Sequence, residues 1–327
     1  MPTMSVIPAI EEGERELADD LQELRETNSV IGDLMGQPGD LATPEGLKAA
    51  RKFLEDFMTA QAPSTAPDVR SVAGVPVRIF VPEQADAVYL HIHGGGFAIG
   101  VAAMNDVSNA DISSSCNVAV VSVDYRLAPE HPYPAGPDDC EAVANWLVDH
   151  AADEFGTGRL LIGGESAGAS LAATTLLRVR DHLDAADRFL GANLVYGVYD
   201  LTGTPSTRRS GDDSLILRRS DIEAFGELYL GTMSWEERRH PEVSPLYADL
   251  SGLPPALFSV GGVDPLLDDS LFMSARWQTA GNVAELAYYP ECPHGFDMFP
   301  TKAAARSRAR QIGWLSERAK GAARAPV

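Results

Sequence analysis

Apolar residues along the chain fall into two patterns. Short, nearly unbroken apolar runs occur at Ala87–His93, Val118–Val123, Leu160–Gly163, Leu190–Val195, Ala256–Val260 and Ala284–Tyr289. Runs such as VAVVSV lack polar alternation and fit strands buried on both sides. Between them lie helical patterns, over Gly136–His150, Ala167–Arg180, Asp268–Ala280 and Lys302–Lys320. Strands alternating with helices predict an α/β fold with a mainly parallel sheet covered on both faces. Ahead of these runs, Val69–Val81 is rich in β-branched residues, and Gly74 can turn a hairpin inside it.

The flanking regions are patterned differently. Residues 8–30 are charged, with Leu17, Leu21 and Leu24 at spacings of four and three, which predicts an amphipathic helix. A second helix is expected over Pro44–Met58, with Thr43 as N-cap and proline at the first helical position. Gln61–Asp68 has the composition of a loop or linker. The stretch from Leu201 to Leu250 breaks the alternation. It is polar, too long for an ordinary loop, and contains one good helical pattern, Asp221–Leu230, with Ser220 and Glu223 as a capping pair. These changes divide the chain into a helical N-terminal segment (1–65), a core in two parts (66–200 and 246–327) and an insertion (201–245).

Composition narrows the classes. The 327 residues carry a formal charge of -21 and are 45% hydrophobic, which is enough for a sizeable core. An acidic surface repels phosphate backbones and anionic lipids, so no nucleic-acid partner is expected. No run approaches the roughly 20 apolar residues of a membrane span, so no stable membrane insertion is expected. Cys116, Cys140 and Cys292 are odd in number and show no metal spacing, so neither a disulfide framework nor a metal site is expected. The acidic N-terminus has no long apolar run, which predicts no signal peptide and a cytoplasmic location by default. The charge is uneven: the first 56 residues hold 13 acids against 5 bases, while the tail from Lys302 holds seven bases against one Glu.

The candidate chemistry begins at Gly164–Glu165–Ser166–Ala167–Gly168, which follows an apolar strand and precedes an apolar helix. G-x-S-x-G in that setting holds a strained serine at a sharp turn, with its hydroxyl exposed at the sheet's carboxyl end. The Ala167 amide sits at a helix N-terminus, which favours an anion. His93–Gly94–Gly95–Gly96–Phe97 also follows a strand, and its glycines let backbone amides approach an oxyanion. His93 is expected to anchor that loop. A serine needs a base. His294, in Pro293–His294–Gly295–Phe296, is late in the chain on a loop after a strand, as the order serine, acid, histidine requires. Asp264, after the run Ala256–Val260, fits the acid; Asp268 and Asp269 are alternatives that would open the next helix. Activity should rise as the imidazole loses its proton, near its ordinary pKa of about 6.5.

These residues match a family. HGGGFAIG at 93–100, VDYRLAPEHPYPAGPDD at 123–139, GESAGAS at 164–170, SPL at 244–246, DPLLDD at 264–269 and HGF at 294–296 resemble the bacterial hormone-sensitive-lipase-like esterases of the α/β-hydrolase fold. The resemblance implies a mostly parallel eight-stranded sheet flanked by helices, with a cap built from the N-terminal helices and the insertion. It implies Ser166 as nucleophile, Asp264 as acid, His294 as base, and the amides of Gly95, Gly96 and Ala167 as oxyanion hole, supported by His93, Gly94 and Glu165. It implies hydrolysis of short- to medium-chain carboxylic esters and no cofactor; members of the family are often homodimers, and the sequence leaves the oligomeric state open. Amides, lactones or carbamates are alternative substrates of the same triad, and a non-catalytic receptor is a further alternative. Two positions depart from the pattern: Glu165 stands where Asp or Thr is usual, and Ala169 where a second glycine is usual. Phe97, Tyr196 and Tyr199 are candidate pocket walls, with Phe225 and Tyr229 from the insertion.

Overall fold

The computed structural model describes residues 6–8, 21–30 and 39–321. Strands β2 (Asp68–Val72) and β3 (Val75–Phe80) form the hairpin expected around Gly74. The apolar runs form β4 (Ala87–Ile92), β5 (Val118–Val123), β6 (Leu160–Glu165), β7 (Phe189–Val195), β8 (Ala256–Gly261) and β9 (Ala284–Tyr289). These are the eight expected strands. A three-residue strand, β1 (Val6–Pro8), adds to the edge beside β9, so the sheet runs β1-β9-β8-β7-β6-β4-β5-β3-β2. All pairings from β1 to β5 are parallel, and β3 and β2 close the far edge antiparallel.

Strands β4, β5 and β8 are buried at every position. That follows from their coverage. Helices α4 (Ala135–Phe155) and α5 (Ala167–Leu183) pack on each other and on the central strands, while α8 (Leu267–Thr279) packs on β8 and β9. α3 (Asp106–Cys116) and α9 (Lys302–Ala319) form a second packed pair. Each fully buried Leu or Ile of β6 contributes roughly 2 kcal/mol of apolar transfer, and Leu160, Leu161 and Ile162 are all of that kind.

Helix α3 has no counterpart in the sequence expectation. Its buried face is polar. Asp106 pairs with Arg78, Asn109 Nδ2 bonds to His91 Nδ1 at 3.3 Å, and the Ser113 hydroxyl donates to the Phe80 carbonyl. With polar residues facing inward, apolar periodicity has nothing to register. Of the helix expected over 8–30, residues 21–30 are helical (α1), Pro8 belongs to β1, and 9–20 lie outside the described residues. α2 (Pro44–Met58) has the expected bounds, and the Thr43 hydroxyl accepts from the Gly46 amide at 3.1 Å. The insertion holds a short α6 (Pro205–Arg209) and α7 (Arg219–Leu230). The capping pair there is not Ser220 and Glu223. The helix starts two residues earlier than expected, and Asp221 accepts from the Arg218 amide (3.0 Å) and guanidinium.

The parallel strands place the loops after β4, β6, β7, β8 and β9 along one edge of the sheet. Those loops carry the glycine run, Ser166, Tyr196, Asp264 and His294 respectively.

Candidate active site

Ser166 stands between β6 and α5 with φ 56° and ψ -121°, a conformation that L-residues rarely adopt. Its amide donates to the Val195 carbonyl at 2.9 Å, which ties the turn to β7. Strand β4 presses on the turn from the other side. A Cβ at Gly164 or Gly168 would come within 2.1 or 2.0 Å of the Ile92 carbonyl oxygen. The two glycines of the motif are therefore required by the close approach of β4, and the serine is what remains exposed.

The serine hydroxyl donates to His294 Nε2 at 2.9 Å, and His294 Nδ1–H donates to Asp264 Oδ2 at 2.9 Å. These donor and acceptor roles follow from the only pattern that satisfies both contacts of a neutral ring. The other Asp264 oxygen accepts the Leu266 amide at 2.8 Å. Asp264 is 3% exposed and His294 7%, so the row is sheltered except at the serine. Asp264 thus takes the position expected of the acid. Asp268 and Asp269 do not reach His294. Asp269 accepts the Tyr199 and Asp200 amides and the Thr204 hydroxyl, and Asp268 accepts the Ser206 amide. They strap the start of the insertion to α8, a use that the helix-dipole expectation did not contain.

The glycine loop folds back on itself. The amides of Ala98 and Ile99 donate to the Gly95 carbonyl at 3.1 and 2.8 Å, with Gly95 at φ 115° and Gly96 at φ 57°. His93 lies buried beneath it. Its Nδ1–H donates to the Gly94 carbonyl at 2.8 Å, and its ring stacks on Tyr125. Burial holds the His93 pKa below its ordinary value, so the ring is a neutral anchor. The amides of Gly95, Gly96 and Ala167 have no acceptor among the described residues.

Glu165 turns away from the helix into a polar nest. Its carboxylate accepts from Asn105 Nδ2 at 2.7 Å and from His91 Nε2 at 3.1 Å, and the His91 ring is backed by Ser122 at 3.0 Å. Burial alone would push this carboxyl up, but the electrostatic attraction and hydrogen bond of His91, with the bond from Asn105, hold it below its ordinary value. Nothing in the motif pointed to Asn105. His91 could have been found, because it lies two residues before His93 on the same strand face. Ala169 is fully buried in α5, where its methyl is accommodated.

A cavity of about 1230 Å³ opens over Ser166. Tyr196 lines it, meeting the His294 ring edge-on at 4.8 Å and donating to Asp297 Oδ1 at 2.7 Å. Burial pushes the Asp297 carboxyl up, opposed by the Tyr196 hydrogen bond, and the Glu165 charge adds to the rise. Phe225 also lines the cavity, over Gly96. The other expected walls do not. Phe97 is stacked on Tyr229 at 4.0 Å beneath α7, and Tyr199 is packed edge-on against Phe258 in the core. Their rings are consumed by interior packing, where aromatic residues most often serve. The mouth is formed instead by α2, through Phe53, Leu54 and Phe57, and by residues 212–218. Among the described residues, no group of three or more His, Cys, Asp or Glu is placed to hold a metal ion, and no helix is long and apolar enough to cross a membrane.

Comparison with known proteins agrees with this geometry. Residues 89–298 match the family model described as alpha/beta hydrolase fold. The chain is 34% identical over 274 residues to the carboxylic ester hydrolase LipN of Mycobacterium tuberculosis, covering 78% of this chain and 72% of that protein. It is 30% identical over 272 residues to the ethyl acetate hydrolase of Pseudomonas putida, covering 77% and 83%. A hormone-sensitive lipase from a metagenome library superposes with a TM-score of 0.80 at 29% identity, over 90% of this chain and 98% of that one. A strained serine at a strand–helix turn, a histidine within hydrogen-bond reach and relatives named as carboxylic ester hydrolases lead to one conclusion: this chain belongs to the hormone-sensitive-lipase-like esterases of the α/β-hydrolase fold and is a carboxylic ester hydrolase.

Proposed function

We propose that the reaction runs through an acyl-enzyme on Ser166. Ser166 Oγ attacks the ester carbonyl carbon as His294 Nε2 takes its proton. Asp264 holds the ring in the tautomer that makes Nε2 the acceptor and stabilises the imidazolium that forms. The negative charge on the carbonyl oxygen is met by the amides of Gly95, Gly96 and Ala167. Such preorganised donors contribute because they strengthen only as charge develops. His294 then passes its proton to the leaving alkoxide, and the alcohol departs. Water attacks the acyl group, gives its proton to His294, and the acid leaves as Ser166 regains its hydrogen. The observation that carries this reading is the unbroken row of hydrogen bonds Ser166–His294–Asp264, with 2.9 Å at both links.

The overhanging elements, α1, α2 and residues 201–245, act as a cap over this row. Short- to medium-chain acyl groups are the substrates, in keeping with a relative named for ethyl acetate hydrolysis. The three buried cysteines, all unpaired, suit a reducing cytoplasm. A p-nitrophenyl ester series of rising acyl length, run with Ser166→Ala as control, tests the assignment. Turnover should be greatest for the short and medium esters and should fall in the variant by a factor on the order of 10⁶. Persistence of wild-type turnover in Ser166→Ala would remove the serine from its role.

A further inference from the structure

The cavity over Ser166 has two kinds of wall. α2 and the insertion present apolar groups, among them Phe53, Leu54, Phe57 and Phe225. The wall supplied by β4, β6, β7, α3 and α9 is polar and includes Tyr89, His91, Asn105, Glu165, Asn193 and Gln311. Hydrogen bonding on this polar wall is one-sided. His91 Nε2 and Asn105 Nδ2 both donate to Glu165. Asn193 Nδ2 donates to Gln311 Oε1 at 3.0 Å, and Gln311 Nε2 donates to Ser307 at 3.1 Å. Beside His294, the Tyr196 hydroxyl is spent on Asp297. Each of these amides has one N–H engaged within the protein, the Oδ1 atoms of Asn105 and Asn193 have no partner among the described residues, and the Glu165 and Asp297 carboxylates open on the cavity; of the other acidic lining residues, Asp111, Asp212 and Asp213 are exposed and Asp221 is paired with Arg218. A carboxylate offers about four acceptor sites, and Glu165 receives two side-chain donors.

The reaction order says which part of the ester meets this wall. The alcohol departs first and must pass the mouth, where Phe53 and Phe57 are 44% and 41% exposed. The acyl group stays on Ser166 until water frees it. While it stays there it meets the wall that includes the buried Tyr89, His91 and Asn193.

We infer that the acyl subsite selects acyl groups bearing a hydrogen-bond donor, a hydroxyl or an ammonium, within a few carbons of the ester carbonyl, and rejects acyl groups bearing a carboxylate. The inference rests on Ser166 as the nucleophile. A donor fills acceptor sites on Glu165 or Asp297 that an alkyl chain would desolvate without replacement. A carboxylate would bring like charge against Glu165 in a water-poor site. The lining also holds two arginines. Arg218 is paired with Asp221, and Arg308 is exposed, donating to the Asp297 carbonyl at 2.8 Å.

The test compares p-nitrophenyl butanoate, 3-hydroxybutanoate, 3-aminobutanoate and hemisuccinate, each rate corrected for spontaneous hydrolysis. In the wild type, kcat/KM for the hydroxy or amino ester should exceed that for butanoate by about tenfold, and hemisuccinate should fall about tenfold below it. Glu165→Gln should narrow the gap between the amino ester and hemisuccinate. Asp297→Asn provides a second variant should Glu165→Gln fail to fold. Butanoate ranked first in the wild type, or hemisuccinate preferred through Arg308, would overturn the inference while leaving the esterase assignment intact. Failure to turn over any of the four esters, with Ser166 also unlabelled by a fluorophosphonate, would instead bring down the nucleophile assignment and this inference with it.

Discussion

The row at the sheet edge and the elements overhanging it are held by different forces. Ser166, His294 and Asp264 stand at strand ends and are fixed by buried hydrogen bonds, so loss of a partner strands a polar group away from water. The overhang is gripped largely from the surface. Arg51 on α2 donates to the Ala98 carbonyl at 2.8 Å and the Ala128 carbonyl at 2.9 Å and forms a two-pronged pair with Glu130. Arg25 on α1 pairs with both oxygens of Glu291, three residues before His294, and Asn28 donates to the Glu291 carbonyl. Exposed ion pairs of this kind are screened by water and hold only weakly. The row is therefore held by buried hydrogen bonds, and the overhang by exposed ion pairs. The two tethers end on the loops that carry Gly95 and His294.

Substitutions can break that contrast in descending order of effect. Asp264→Asn should lower kcat by about 10⁴ with little change in KM, because the amide favours the wrong imidazole tautomer. An equal loss in folding cooperativity, read by thermal melting, would make Asp264 a merely structural residue. Gly96→Ala comes next. The new Cβ would lie 2.4 Å from the Phe225 ring, at a φ of 57°. Steady-state kinetics should show kcat reduced by about a hundredfold, the size expected for one lost oxyanion donor. A change in KM alone would mean that Gly96 only makes room for Phe225.

Asp269, five residues from Asp264, tests the strap between core and insertion. Burial pushes its carboxyl up to about 7, against the hydrogen bonds from Thr204, Asp200 and Tyr199. The folded chain then holds this proton more tightly than the unfolded chain, whose carboxyl titrates near 4. Its contribution to stability is complete below about pH 4 and is lost as the pH rises through about 7. Asp269→Asn resembles the protonated form. Its stability should gain on that of the wild type between about pH 5 and about pH 8, by a few kcal/mol at most, read as a growing difference in melting temperature. Parallel melting curves would show that the three hydrogen bonds outweigh burial. The smallest effect belongs to the tether. Arg51→Ala should reduce kcat roughly fivefold, and Arg51→Lys should recover only part of it, since an ammonium cannot bridge two carbonyls and a carboxylate at once. Full recovery by lysine would mean that only charge is needed.

Legibility followed the same divide. Strands β5 and β9 and helix α2 were readable to the residue, because their burial is carried by apolar side chains or by a cap with a known signature. Ser166 and His294 were readable because the chemistry needs those residue types at strand ends in that order, whereas the acid was narrowed only to Asp264, Asp268 or Asp269. Helix α3 was unreadable because Asp106, Asn109 and Ser113 bury polar groups against partners far away in sequence. Phe97 and Tyr199 were misjudged as pocket walls for a related reason: an aromatic residue near a motif carries no sign of which way its ring turns.

The sequence alone thus determined the alternation of strands and helices, the strained turn at Ser166 and His294 as its partner. These depend on local periodicity, backbone strain and residue chemistry. Only the tertiary structure decided which aspartate of 264–269 faces His294, which groups wall the cavity, and that Glu165 is met by Asn105 and His91. Those outcomes are set by packing between segments 30 or more residues apart, from Asp264 and His294 to Asn105 and Glu165, and no local pattern encodes them.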